Sequence, residues 1–316
     1  MQVQLRAEAL IKRTIEISSE AAHLTVKHRQ MLIQRDRKTV GSVPCEDIGI
    51  VLVDHPGTTY THAALAQLAE SDAALVVCNE QHLPSAILLP LTDHSQVVWR
   101  LNDQINASKP LCKQLWKQIV QAKIRAQANV LSADSKAHRK LLDLALQVRS
   151  GDTKNVEAQA AQTYWQHFLG EVRFRRDRNA DDLNSFLNYG YAVIRAAVAR
   201  ALVAAGLFPA LGLHHRNRSN SFCLADDLME PLRPMVDTRA RELHAIGYTD
   251  LSVESKRVLL EVLAERVRNG DEVGPLMVHI HRMASSLSKC FAGQAKQLAI
   301  PVMIDSNDGT DKTDAD

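Results

Sequence analysis

The sequence predicts an α+β protein, with a β-rich N-terminal domain followed by a larger all-helical domain, and three observations carry that reading. Short β-branched runs broken by turn residues fill the first 91 positions, whereas apolar residues recur at helical spacing from about Ser108 onward. The composition, 46% hydrophobic and 23% charged over 316 residues, suffices for two cored domains. The expected boundaries are 1–91 for the β-rich domain, 92–106 for a linker, 107–304 for the helical domain and 305–316 for an acidic, disordered tail.

In the first part, TIEI, HLTV, MLIQ, IGIVLVD, ALVVC and AILLPL each have the length and branching of a strand, and HAALAQLAE among them reads as a helix. Ser108 followed by Pro110 then makes a helix start, because the serine oxygen accepts an early amide and proline needs no donor there. Leu111, Leu115, Ile119 and Ala122 continue the apolar spacing. Further helices are expected at 135–148, 154–169, 181–205, 228–245, 252–269 and 274–297, with Gly151, Gly170, Gly206 and Gly270 as stops. In 181–205, Leu183, Leu187, Tyr191, Ile194, Val198 and Leu202 form one stripe, and Phe186, Tyr189 and Val193 widen it. That helix is expected to be the buried central strut, with Gly190 allowing a close neighbour.

Charge and cysteine usage narrow the class. The formal net charge is +2, but the tail DSNDGTDKTDAD holds five Asp and one Lys, so the rest has 37 basic residues against 31 acidic. Arg173, Arg175, Arg176, Arg178, Arg216, Arg218, Arg233, Arg239 and Arg241 fall within one third of the chain, which suits a polyanionic partner or a solvated charged face. Cys45, Cys78, Cys112, Cys223 and Cys290 are scattered and never in CxxC spacing, which argues against a disulfide framework and a thiolate zinc site. No signal-like start or membrane-length apolar run occurs, so a cytoplasmic protein is expected.

Two stretches carry chemistry. In 151–170, helix geometry puts Glu157 on the side of Ala160, Ala161, Tyr164 and Phe168, where a carboxylate needs a cation, a donor or a metal; equally, it sits in the first turn, where the helix dipole favours an anion. In GLHHRNRSNSFCLADDLMEPLRP, 212–234, His214 and His215 follow an apolar turn, while Asp227 and Glu230 have the spacing of a capping box. Carboxylates with an imidazole suit magnesium or manganese rather than structural zinc.

The blocks NVEAQAAQTYW at 155–165, LNYGY at 187–191 and PALGLHHRNRSNSFCLADDLMEPLRPMVD at 209–237 closely resemble the integrase of CRISPR adaptation, in its type II branch. The resemblance runs from about Ile15 to Pro301 and includes VPCEDIG at 43–49 and LWKQIVQAKIRAQA at 115–128. It implies an N-terminal β-domain that dimerises and a helical catalytic domain. It also implies a small ferredoxin-like partner subunit, double-stranded DNA as substrate, and Mg2+ or Mn2+ held by Glu157, His215 and Glu230. The branch keeps D-L-M-E-P, so the last acid falls on Glu230 rather than Asp226 or Asp227, and the family histidine directly precedes an R/K-N pair, which selects His215 over His214. The implied reaction is attack of a duplex 3′-hydroxyl on a phosphodiester at the edge of a CRISPR repeat, with Arg216, Asn217, Arg218, Asn220 and Arg233 suited to holding phosphates. Two other classes use the same residues: a stand-alone metal-dependent nuclease acting by hydrolysis, and a non-enzymatic DNA-binding scaffold.

Overall fold

In a computed structural model of the chain, residues 12–80, 82, 84–90, 95–170, 172, 174–177, 180 and 182–304 are described. Arg173, Arg178 and the tail 305–316 lie outside them.

The first part holds two four-stranded sheets. β2 (His23–Lys27), β3 (Gln30–Arg35) and β4 (Lys38–Pro44) form an antiparallel meander that β6 (Thr59–Tyr60) joins in parallel, in the order β4-β3-β2-β6. Asp36 and Arg37 both take left-handed φ in the tight β3–β4 turn. The second sheet runs β1-β5-β7-β8, from β1 (Arg13–Ile17), β5 (Ile48–Val53), β7 (Ala74–Cys78) and β8 (Pro84–Leu88), with only the β7–β8 pair antiparallel. Between them α1 (His62–Glu70) covers the expected segment, its N-terminus capped by Thr61.

IGIVLV in β5 is buried throughout because both faces are covered. Val51 and Val53 face a core shared with Leu24, Met31 and Leu68 of the meander and α1. Ile50 and Leu52 face the other way, into the larger core of the helical part. Alternation along one strand thus joins the two halves.

The stretch expected as a linker carries a helix instead, α2 (Val97–Ile105). Its Arg100 and Gln104 reach inward: Arg100 Nη1 donates to Ala205 O, and Gln104 brackets the 208–211 backbone with bonds to Phe208 O, Leu211 O and Phe208 N. α3 (Lys109–Val130) starts as expected, with Ser108 Oγ accepting from Leu111 N, and α4 (Lys136–Gln147) and α5 (Val156–His167) pack along it. The central strut is α6 (Leu183–Ala204), against which β5, β7 and β8, α7 (Cys223–Met229), α8 (Arg233–Ala245), α9 (Val253–Glu261) and α10 (Leu276–Phe291) all pack.

Three helix expectations are corrected. The 228–245 helix begins earlier, at Cys223, and is interrupted by a 3₁₀ turn over Glu230–Leu232, where Pro231 and Pro234 remove amide donors. The 252–269 helix ends near Glu261, and Arg266–Asn269 (β9) turns at Gly270 into Glu272–Pro275 (β10). The 274–297 helix starts at Leu276 and ends at Phe291, because Gly274 belongs to β10. With β11 (Val302–Met303), β10-β9-β11 forms a small antiparallel sheet inside the helical half. All five cysteines are free thiols, and among the described residues no helix is long and apolar enough to cross a membrane.

Candidate functional site

The start of α5 is held by Asp152, whose carboxylate accepts from Val156 N and Glu157 N, both at 2.9 Å. With the first-turn amides so satisfied, the Glu157 side chain turns to α3. Glu157 Oε1 lies 2.6 Å from Lys123 Nζ, and the same ammonium lies 2.6 Å from Glu230 Oε2. Two carboxylates from distant segments therefore grip one cation between them. Glu230 Oε1 meets Arg233 Nε at 3.0 Å, so each oxygen of this buried carboxylate faces its own cation.

These contacts set the ionisation of the group. Burial alone would raise the Glu230 carboxyl, but Arg233 and Lys123 outweigh it and hold the group at about 2. Burial would lower Lys123, but Glu230 and Glu157 more than reverse that, so it stays charged.

The loop from Gly206 to Asn220 brings in the imidazoles. Gln104 fixes its 208–211 stretch, Leu224 N donates to Pro209 O at 2.7 Å, and Gly212 passes so close to the His215 carbonyl and Asp227 Oδ2 that a side chain there would have no room. Asp227, wholly buried, is not a helix cap. It lies within α7 and accepts from His214 N at 2.9 Å and from His215 Nδ1 at 2.5 Å. That hydrogen bond raises the His215 pKa; partial burial opposes it, and Asp227, Glu230 and Glu157 add their fields. His214 instead stacks flat on buried Trp116, with ring centroids 4.4 Å apart. Asp226 is also engaged: Arg195 Nε donates to its Oδ1 and Asn220 Nδ2 to its Oδ2, both at 2.7 Å.

His215, Arg216, Asn217, Arg218 and Asn220 line one open cleft of about 470 Å3. Arg233 does not join them; it lines a separate cavity with Arg176 and Arg195. Cys223 lies under the loop, its Sγ 3.4 Å from Asn220 O. Among the described residues, no three His, Cys, Asp or Glu side chains close around a common point, and Lys123 lies between the two glutamates. Lys123 was not singled out from the sequence, although it falls four residues after Ile119 and four before Gln127, both buried, on the packed side of α3.

Comparisons with known proteins fit this architecture. The family described as "CRISPR associated protein Cas1" matches residues 15–261. A CRISPR-associated endonuclease Cas1 from Neisseria meningitidis serogroup C (strain 8013) is 41% identical over 286 residues, covering 89% of this chain and 93% of that protein. Among solved structures, a casposase bound to integration product aligns with a TM-score of 0.76 at 18% identity, over 90% of this chain and 92% of the other. A Cas6-RT-Cas1–Cas2 complex aligns with a TM-score of 0.74 at 18% identity, over 93% of this chain and 36% of that much longer one.

Proposed function

The chain belongs to the Cas1 family of CRISPR-associated proteins, and from that premise we propose that it is a metal-dependent DNA integrase and endonuclease of CRISPR adaptation, joining the 3′-hydroxyl ends of a short duplex into a CRISPR repeat by transesterification. The observation that carries this reading is the pair Glu157 and Glu230 gripping a single cation beside His215, at the edge of a cleft lined by Arg216, Asn217, Arg218 and Asn220.

A divalent ion fits these residues in charge and donor type. Two carboxylates already flank one positive centre, and oxygen donors with one imidazole suit Mg2+ or Mn2+. Glu157, Glu230 and His215 would hold the ion once Lys123 has withdrawn. When bound, it supplies a Lewis acid that draws charge from the attacked phosphodiester.

The remaining work falls to side chains. Asp227 fixes His215 by accepting from Nδ1, which leaves the other ring nitrogen as the donor to the ion, and the proton of the attacking 3′-hydroxyl passes to solvent water. Arg216, Arg218, Asn217 and Asn220 hold backbone oxygens without reading bases. One O–P bond forms and the P–O3′ bond breaks. The displaced 3′ oxygen takes up a proton, and the count of phosphodiesters is unchanged, so no nucleotide is consumed. The likeness to a Cas6-RT-Cas1–Cas2 complex supports a Cas2 partner, and the homodimer and the small ferredoxin-like form of that partner are what the family resemblance implies.

The test mixes the protein, Mg2+ or Mn2+, a short duplex with free 3′ ends and a supercoiled plasmid. Covalent joining of duplex to plasmid is expected, and Glu157→Ala, His215→Ala and Glu230→Ala should each abolish it. Cleavage without joining would make the protein a hydrolase, and activity surviving all three substitutions would remove the site.

A further inference from the structure

Where β8 meets α6 and α8, three arginines converge on a second cavity. Arg176, Arg195 and Arg233 line a space of about 250 Å3 with Tyr191 and Ala192. Arg195 reaches Asp226 through Nε, and Arg233 meets Glu230 through Nε. Among the described residues, the Nη groups of both make no hydrogen bond. Arg176 is anchored by the side-chain oxygens of Asn184, at 2.9 Å, and Asn188, at 2.5 Å. The guanidinium groups of Arg176 and Arg233 both lie over the Tyr191 ring, 5.6 and 4.7 Å from its centroid.

The neighbouring carboxylates do not fill this space. Asp226 and Glu230 each take one edge of one arginine, and Asp237 is enclosed by the hydroxyls of Tyr164 and Tyr191. Three guanidinium groups around one small cavity repel each other unless an anion shares it, and unspent N–H forks match phosphate oxygens.

We propose that this cavity is a second phosphate-binding site, separate from the Arg216–Arg218 cleft, that seats the backbone of a DNA strand. The choice of DNA as the source of phosphate rests on the integrase reading. The Asp226 carboxylate links the two sites, taking Arg195 of the cavity on one oxygen and Asn220 of the cleft on the other. Two phosphate sites around the same acids hold two DNA segments, as strand joining requires and simple hydrolysis does not.

The test measures binding of a fluorescent duplex to the full-length protein over a range of salt. Arg195→Gln and Ala192→Glu should each weaken binding several-fold and reduce the log–log salt slope by about 0.9 for each phosphate no longer neutralised. Arg195→Lys should retain most of the binding. Arg216→Ala/Arg218→Ala should lower the slope independently, so that the two reductions add. If Arg195→Gln lowers the melting temperature, Ala192→Glu decides, because it removes no ion pair. A wild-type slope in Ala192→Glu would overturn the site. Joining of duplex to plasmid by wild-type protein separates the two failures: joining with unchanged slopes sinks the cavity alone, whereas a reduced slope in a protein that never joins sinks the integrase reading and leaves the cavity standing.

Discussion

Asp237, on the inner face of α8, is wholly buried and accepts hydrogen bonds from Tyr191 and, at 2.8 Å, from Tyr164. Burial pushes its carboxyl up to about 6, while the two phenols, Arg233 and Arg176 limit the rise. Its folded value lies above the unfolded one, so between about pH 4 and 6 the folded protein keeps a proton that the unfolded chain has released. The group's contribution to stability is therefore full below that window and lost as pH rises through it. At about 1.4 kcal/mol per unit, the swing is on the order of 3 kcal/mol. Asp237→Asn is expected to remove this component from urea-unfolding free energies measured across that range; the same pH slope in both proteins would show that Asp237 does not titrate there. Legibility at this scale was uneven. Glu157, His215 and Glu230 stood out through the motif blocks, whereas spacing alone left Glu157 an equally good dipole position. Lys123 escaped notice, and Asp227 was read as a helix cap rather than as the partner of His215, because each acts through a contact that only folding brings close.

At the scale of elements, α6 and α8 come close together at Gly190, where an added Cβ would overlap Val236 Cγ1 and lie 3.2 Å from its Cγ2. Gly190→Ala would gain about 1 kcal/mol of helix propensity but force an overpacked contact between two buried helices. The expected net result is destabilisation by about 1–3 kcal/mol in chemical denaturation, with Val236→Ala in the same chain restoring most of it. Failure of that second substitution to help would place the strain elsewhere. Most helices were legible to within a few residues because their caps are local chemistry: Thr61, Ser108, Ser135 and Ser252 each accept an early amide. The β9–β10 hairpin was missed because the apolar run feeding it keeps helical spacing until Glu261. The Asn269-Gly270 pair was the available signal, a dipeptide suited to a tight turn between strands.

For the molecule as a whole, the β-rich half and the helical half are pinned by buried charge as well as by the shared core. Lys256 of α9 pairs with Asp54 after β5, and His82 Nδ1 lies 3.0 Å from the same carboxylate. Arg200 of α6 binds both the backbone oxygen and the carboxylate of Asp72. Lys256→Met would strand Asp54 without its buried partner and is expected to cost about 3–5 kcal/mol, while Lys256→Met/Asp54→Leu recovers much of it. Thermal melts of the three proteins check this, and a single variant as stable as the parent would show that the pair does not hold the halves together. None of this interface was legible beforehand, since the partners stand 202 residues apart in the pair Lys256–Asp54 and no local pattern marks them. Lys123 has a consequence of its own. Because the polypeptide brings its own countercharge to Glu157 and Glu230, the mutual repulsion of the two acids is offset inside the fold itself.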